Sequence, residues 1–143
     1  MSIEAIKSDF EFLDEWEDRY RYVIELGREL DRLADDEKNE QTRVRGCASQ
    51  VWLVVDTPPD TTAAPLEFRG ESDAMIVQGL IAILRAIYNG RPAEEVLRVD
   101  ALAIFAELGL SEHLTPQRSN GLKSMIERIR AEATARAAND ADA

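Results

Sequence analysis

Cys47 is the only cysteine in the 143 residues of this chain. It sits in the run Arg43-Val44-Arg45-Gly46-Cys47-Ala48-Ser49-Gln50-Val51-Trp52-Leu53. A free cysteine is ordinarily a small buried hydrophobe. Three local features argue for a reactive one. Gly46 permits a tight or left-handed turn, which places Cys47 on a loop rather than deep in a strand. Arg43 and Arg45 bring positive charge, which favours the thiolate, the nucleophilic form. Ser49 and Gln50 carry donors suited to a sulfur anion. On residue chemistry alone, the inert and the nucleophilic readings stand level.

Other chemistries have less to build on. A metal site needs about three or four N, O or S ligands, and the chain has one Cys and one His. There is no CxxC dithiol and no Gly-rich phosphate loop. His113, in Ser111-Glu112-His113-Leu114-Thr115, precedes a helix start, where a lone histidine is more often a structural hydrogen-bonder. Seventeen basic against twenty-eight acidic side chains give a net charge of −11. That field repels polyanions, so nucleic acid and anionic membranes are not expected partners. A protein partner, or a small substrate in a locally basic pocket, stays open. The plainer account of the acid excess is solubility.

The elements that would hold Cys47 are mostly helical. Ile3, Ile6, Phe10 and Leu13 recur at helical spacing. Asp14 reads as the N-cap of a second helix, with Glu17 three residues on. Trp16, Tyr20, Val23, Ile24, Gly27, Leu30 and Leu33 give it one long apolar stripe. Trp16 and Tyr20 read as core, and Gly27 offers a close approach to another element. Ala34 to Glu40 reads as a solvated loop. Val51 to Asp56 is β-branched and aromatic, suited to a strand, and Trp52 reads as core. Thr57 to Pro65 is a loop by composition. Leu66 to Arg69 alternates again and Gly70 ends it, so the two runs should pair as an antiparallel hairpin. Thr42 to Arg45 could add a third strand.

Ser72 is the expected N-cap of the next helix, with Ile76, Leu80, Ile83, Leu84 and Ile87 as its buried face and Gly90 as its stop. Pro92 and Asp100 open two short helices. Thr115-Pro116 starts the last one, with Gly121 delaying its regular part. Leu122, Met125, Ile126 and Ile129 give its stripe. The expected fold is α+β, a small antiparallel sheet of two to three strands packed on several helices. Residues 1–134 form one domain, and 135–143 form a frayed tail.

No apolar run reaches the ~18–20 residues of a membrane span. The start, Met1 to Lys7, lacks a basic region followed by an apolar block, so no secretory leader is expected. With a single thiol and no internal disulfide, these features point to the cytoplasm.

Four blocks in one order resemble the SufE family of cysteine desulfuration proteins. They are Trp16-Glu17-Asp18-Arg19-Tyr20 with Val23-Ile24-Glu25-Leu26-Gly27; Val44 to Leu53 around Cys47; Gly70-Glu71-Ser72-Asp73-Ala74 with Ile76-Val77-Gln78-Gly79-Leu80; and Leu108-Gly109-Leu110 with His113 to Leu122. The resemblance implies an α+β fold similar to the IscU-type scaffold. It also implies a task for Cys47. The thiolate would take the outer sulfur of a persulfide on a cysteine desulfurase (SufS- or CsdA-like), stimulate that enzyme, and pass the sulfur to an iron–sulfur assembly scaffold. The chain itself would bind no cofactor, and pyridoxal phosphate would belong to the desulfurase. Arg118 and the Ser72-Asp73 helix start would shape or cover the cysteine loop, with Gly46, Ser49 and Gln50 in support. Plainer readings exist, with Ser72 as a cap and Arg118 as a loop-pairing arginine. A cluster scaffold would want about three or more ligands, so one cysteine favours a carrier. Two other classes remain: a stand-alone one-cysteine thiol enzyme such as a peroxidase, and an interaction module with an inert thiol.

Overall fold

The computed structural model describes residues 2–59 and 64–141. Helices α1 (Ile3–Phe12) and α2 (Trp16–Arg28) come first. Strand β1 (Val51–Val55) follows, then β2 (Pro65–Leu66) and β3 (Phe68–Ser72). Helix α3 (Met75–Tyr88), strand β4 (Arg91–Pro92), and helices α4 (Ala93–Arg98), α5 (Ala101–Glu107) and α6 (Pro116–Ala141) complete the chain. Two small antiparallel sheets result, β1 with β3 and β2 with β4. The α+β expectation holds. The expected third strand is a single bridge, Arg43 to Trp52. No helix among the described residues is long and apolar enough to cross a membrane.

The core forms around α3. Its stripe of Ile76, Leu80, Ile83, Leu84 and Ile87 is buried. Each such side chain contributes roughly 1.5–3 kcal/mol by leaving water. α2 crosses α3 at Gly27 and Gly79, where the backbones nearly touch. A Cβ on Gly27 would lie 2.6 Å from the Gly79 nitrogen. The close approach read from Gly27 is therefore real, and its partner is a second glycine.

Several local expectations are corrected. Gly70 does not end its strand. It pairs with Leu53 inside β3, and a Cβ there would collide with Leu53 and Ile81. Ser72 is the last residue of β3 rather than an N-cap, and α3 is capped at Ala74 without a side-chain bond. Sheet pairing with Val51 takes Ser72 before the helix can. Its hydroxyl still accepts from the Ala74 N–H. At α2 the cap residue is Glu15, not Asp14, and the helix ends at Arg28, short of Leu30 and Leu33. Trp16, Tyr20 and Trp52 are half-buried rather than core.

Gly121 lies inside α6, and that helix continues past Ala133, where fraying was expected. Arg136 explains the extension. It is buried and donates to the Thr57 carbonyl and to Glu132. Residues 142–143 of the expected tail lie outside the described residues.

The acidic stretch after α2 is also more ordered than its composition implies. Asp35–Glu37 form a 3₁₀ turn. Glu37 forms a two-bond pair with Arg69, whose guanidinium also holds Asp56. The Arg69 hydrogen bonds hold the Glu37 carboxyl down at about 2. Because the folded value lies below the unfolded one, this stabilisation is complete above about pH 4.5 and is lost as pH falls through about 2. Glu37→Gln should therefore flatten part of the acid limb of a pH–stability curve while changing the neutral plateau less. An unchanged acid limb, measured by denaturant unfolding between pH 2 and 5, would count against the pair.

Candidate functional site

The Cys47 loop is tied at both ends. On its N-terminal side, Val44 N–H donates to Val51 O at 2.8 Å and Leu53 N–H to Thr42 O at 2.9 Å. Arg128 of α6 donates to the Gln41 and Arg43 carbonyls. On the other side, Gln50 N–H donates to Asp73 Oδ1 at 3.0 Å, and Asp73 N–H returns a bond to Gln50 O at 3.3 Å. Between these ties the chain turns at Gly46, with φ of +88°. L side chains rarely take that conformation. A Cβ there would also fall 2.5 Å from Ser124 Oγ.

This turn lays Cys47 against α6. The thiol Sγ donates to the Gly121 carbonyl at 3.5 Å. A Cβ on Gly121 would sit 3.4 Å from that sulfur, at the near edge of ordinary van der Waals contact. Gly121 thus serves as a seat for the thiol. Its place inside the helix, despite the helix cost of glycine of roughly 1 kcal/mol, is the available sequence signal. Read from sequence, that signal means a delayed helix start.

A small cavity opens beside the sulfur. It is lined by Cys47, Ala48 and Ser49 of the loop, by Val77 and Leu80 of α3, and by Gln117, Arg118, Gly121, Leu122 and Met125 of α6. Of the residues singled out from sequence, Ser49 and Arg118 meet Cys47 here. Gln50 and Asp73 instead clasp each other at the loop's far end, and Gly46 makes the turn. Val77, Leu80, Gln117, Gly121 and Met125 were not foreseen. His113 is elsewhere, stacked on Trp16 at 3.9 Å, in keeping with a structural role.

The electrostatics are mixed. Burial pushes the Cys47 thiol up, and Arg43 pulls against that without overcoming it. The sequence credits both arginines and is silent on burial. Arg43 lies over the Trp52 ring, while Arg45 is exposed and paired with Glu40 at 2.9 Å. The resting thiol is therefore protonated at neutral pH and hydrogen-bonded inward. Arg118 has no carboxylate partner among the described residues, and no acid lines the cavity. A cation is thus available for an anion that forms there. Among the described residues no group of three or more His, Cys, Asp or Glu is arranged to hold a metal.

The raised thiol makes a simple measurement informative. Alkylation by iodoacetamide follows the thiolate, so its rate should rise with a midpoint above the ~8.5 of free cysteine. Arg43→Gln should move the midpoint higher still. A wild-type midpoint at or below that of free cysteine would contradict the burial account.

The family model for the SufE Fe–S metabolism associated domain matches residues 4–133. The chain belongs to the SufE family. An uncharacterized SufE-like protein of Rhizobium etli is 55% identical over 137 residues, 96% of this chain and 93% of the relative. Another, of Rhizobium meliloti, is 55% identical over 135 residues, 94% of this chain and 96% of the relative. The solution structure of a hypothetical protein from Thermus thermophilus superposes with a TM-score of 0.72. It covers 94% of this chain and 96% of its own at 22% identity, and so speaks to the fold. Membership of the SufE family places the chain in Fe–S metabolism.

Proposed function

We propose that this protein is a sulfur carrier. It accepts persulfide sulfur from a cysteine desulfurase onto Cys47, stimulates that enzyme by clearing its product, and passes the sulfur to an iron–sulfur assembly scaffold in the cytoplasm. The observation that carries this reading is the placement of the single thiol, on a glycine turn and against a small cavity whose Arg118 has no carboxylate partner among the described residues.

The exchange needs only sulfur chemistry. The Cys47 thiol gives up its proton, and the thiolate attacks the outer sulfur of the desulfurase persulfide. A bond forms between Cys47 Sγ and that outer sulfur. The desulfurase S–S bond breaks, and its cysteine leaves as a thiolate that takes up a proton. The product is Cys47–S–SH. Pyridoxal phosphate is the desulfurase's cofactor, and the transfer asks for no metal on this chain. Arg118 stabilises negative charge while the sulfur is anionic, and the Asp73–Gln50 clasp holds the loop in register.

The raised thiol pKa favours a carrier over a free-standing peroxidase. A peroxidase must hold its thiolate unaided, whereas a carrier can be activated by its partner at docking. The test is intact-mass spectrometry after incubation with a cysteine desulfurase and free cysteine. One added sulfur, located at Cys47, is expected. No added mass beside a demonstrably active desulfurase would overturn the proposal.

A further inference from the structure

The cavity against Cys47 is narrow, and the side of it formed by α3 and the buried face of α6 is apolar. Its volume is about 20 Å³, close to the ~10–15 Å³ that one water-sized atom needs. Val77, Leu80, Leu122 and Met125 form its inner wall and are all buried, while Ala48, Ser49, Gln117 and Arg118 form its outer rim. Buried walls of this kind are packed as densely as organic crystals and do not easily make room for another atom. An S–S bond is about 2.05 Å long, so a sulfur added to Sγ and directed inward takes up the available room.

We propose that these walls limit Cys47 to one carried sulfur, with Leu80 and Met125 as the specificity-determining residues. The limit rests on the sulfur-carrier reading and adds a stoichiometry to it. Growth beyond one sulfur would follow ordinary exchange. The outer sulfur of Cys47–S–SH would lose its proton and attack a further sulfane donor. A new S–S bond would form at that outer sulfur, and the donor's remaining sulfur would leave with the electron pair. Against the inner wall the outer sulfur is screened from such a donor, and a third sulfur directed inward has no space. The sheltered state therefore holds a persulfide and excludes a trisulfide.

Inorganic polysulfide tests this without a desulfurase. A thiolate takes one sulfur from it, and a polysulfide one atom shorter leaves. Intact mass, recorded without reductant, should show wild-type protein gaining one sulfur however large the polysulfide excess. Met125→Ala and the milder Leu80→Val, each checked for folding by circular dichroism, should show a further species one sulfur heavier. Wild-type protein carrying two or more sulfurs, or none, would overturn the limit. So would folded variants that still stop at one. Loading by polysulfide without loading by an active desulfurase would instead remove the carrier reading and leave the one-sulfur limit standing.

Discussion

Cys47→Ser should reduce sulfur acceptance to nothing detectable while leaving the fold in place. The serine hydroxyl is not deprotonated at any workable pH, and it does not enter thiol–disulfide exchange. The chain has no second cysteine to substitute. The structural cost should be small. The thiol makes one weak hydrogen bond, to the Gly121 carbonyl, and a hydroxyl can donate to the same oxygen. A stability change within about 1 kcal/mol is expected, the net scale of one hydrogen bond. Two measurements check it, intact mass after desulfurase treatment and thermal unfolding. A variant that still gains covalent sulfur would mean that the acceptor is not Cys47. A variant that unfolds would make Cys47 a packing residue first.

Gly79→Ala should give the largest loss of stability. An alanine Cβ at that position lands against the Val23 carbonyl and lies 2.6 Å from Val23 Cγ1. The obstacle includes α2 backbone, which cannot rotate away, so the helices must separate. Overpacking of this kind costs typically 1–3 kcal/mol and occasionally more. The better helix propensity of alanine returns roughly 1 kcal/mol. A backbone obstacle belongs at the upper end of that range. The expected net loss is about 2 kcal/mol, or roughly 6–8 °C in Tm for a chain of this size. Gly90→Ala is the control. Nothing lies within 4 Å of a Cβ there, and only its φ of +85° resists, a penalty of roughly 1–2 kcal/mol. Thermal unfolding of the two variants side by side decides the matter. A Gly79→Ala protein no less stable than Gly90→Ala would refute the close crossing.

The contrast between those glycines shows where sequence reading succeeds and where it stops. α3 was legible because its apolar residues repeat at helical spacing, and the structure buries that same stripe. The Cys47 turn was legible because Gly46 stands directly before a lone thiol. The floor of the site was not. Cys47 and Gly121 are 74 positions apart, and no local pattern links them. A glycine in sequence can mean a turn, a breaker or a close approach. Gly70 and Gly121 read as breakers, yet both lie inside their elements against a neighbour's side chain. Cap preference points to Ser72, but cross-strand pairing with Val51 decides its place. The charge beside Cys47 was visible in Arg43, whereas burial, the larger influence on the thiol, depends on helices that arrive much later in the chain.

The ties at the two ends of the Cys47 loop have an energetic consequence for any outward movement of the thiol. Val44–Val51 pairing and the Asp73–Gln50 clasp hold the loop's ends in place. Loop-closure entropy depends on the length of chain between fixed ends. If those ties stay intact while residues 45–49 swing outward, that entropy does not change. The barrier to presenting Cys47 then reduces to the thiol–carbonyl bond, worth about 1 kcal/mol, and the packing of the loop on α6. In the carrier proposed above, a partner would then need only modest affinity to draw the thiol out, and the loop would reset without refolding.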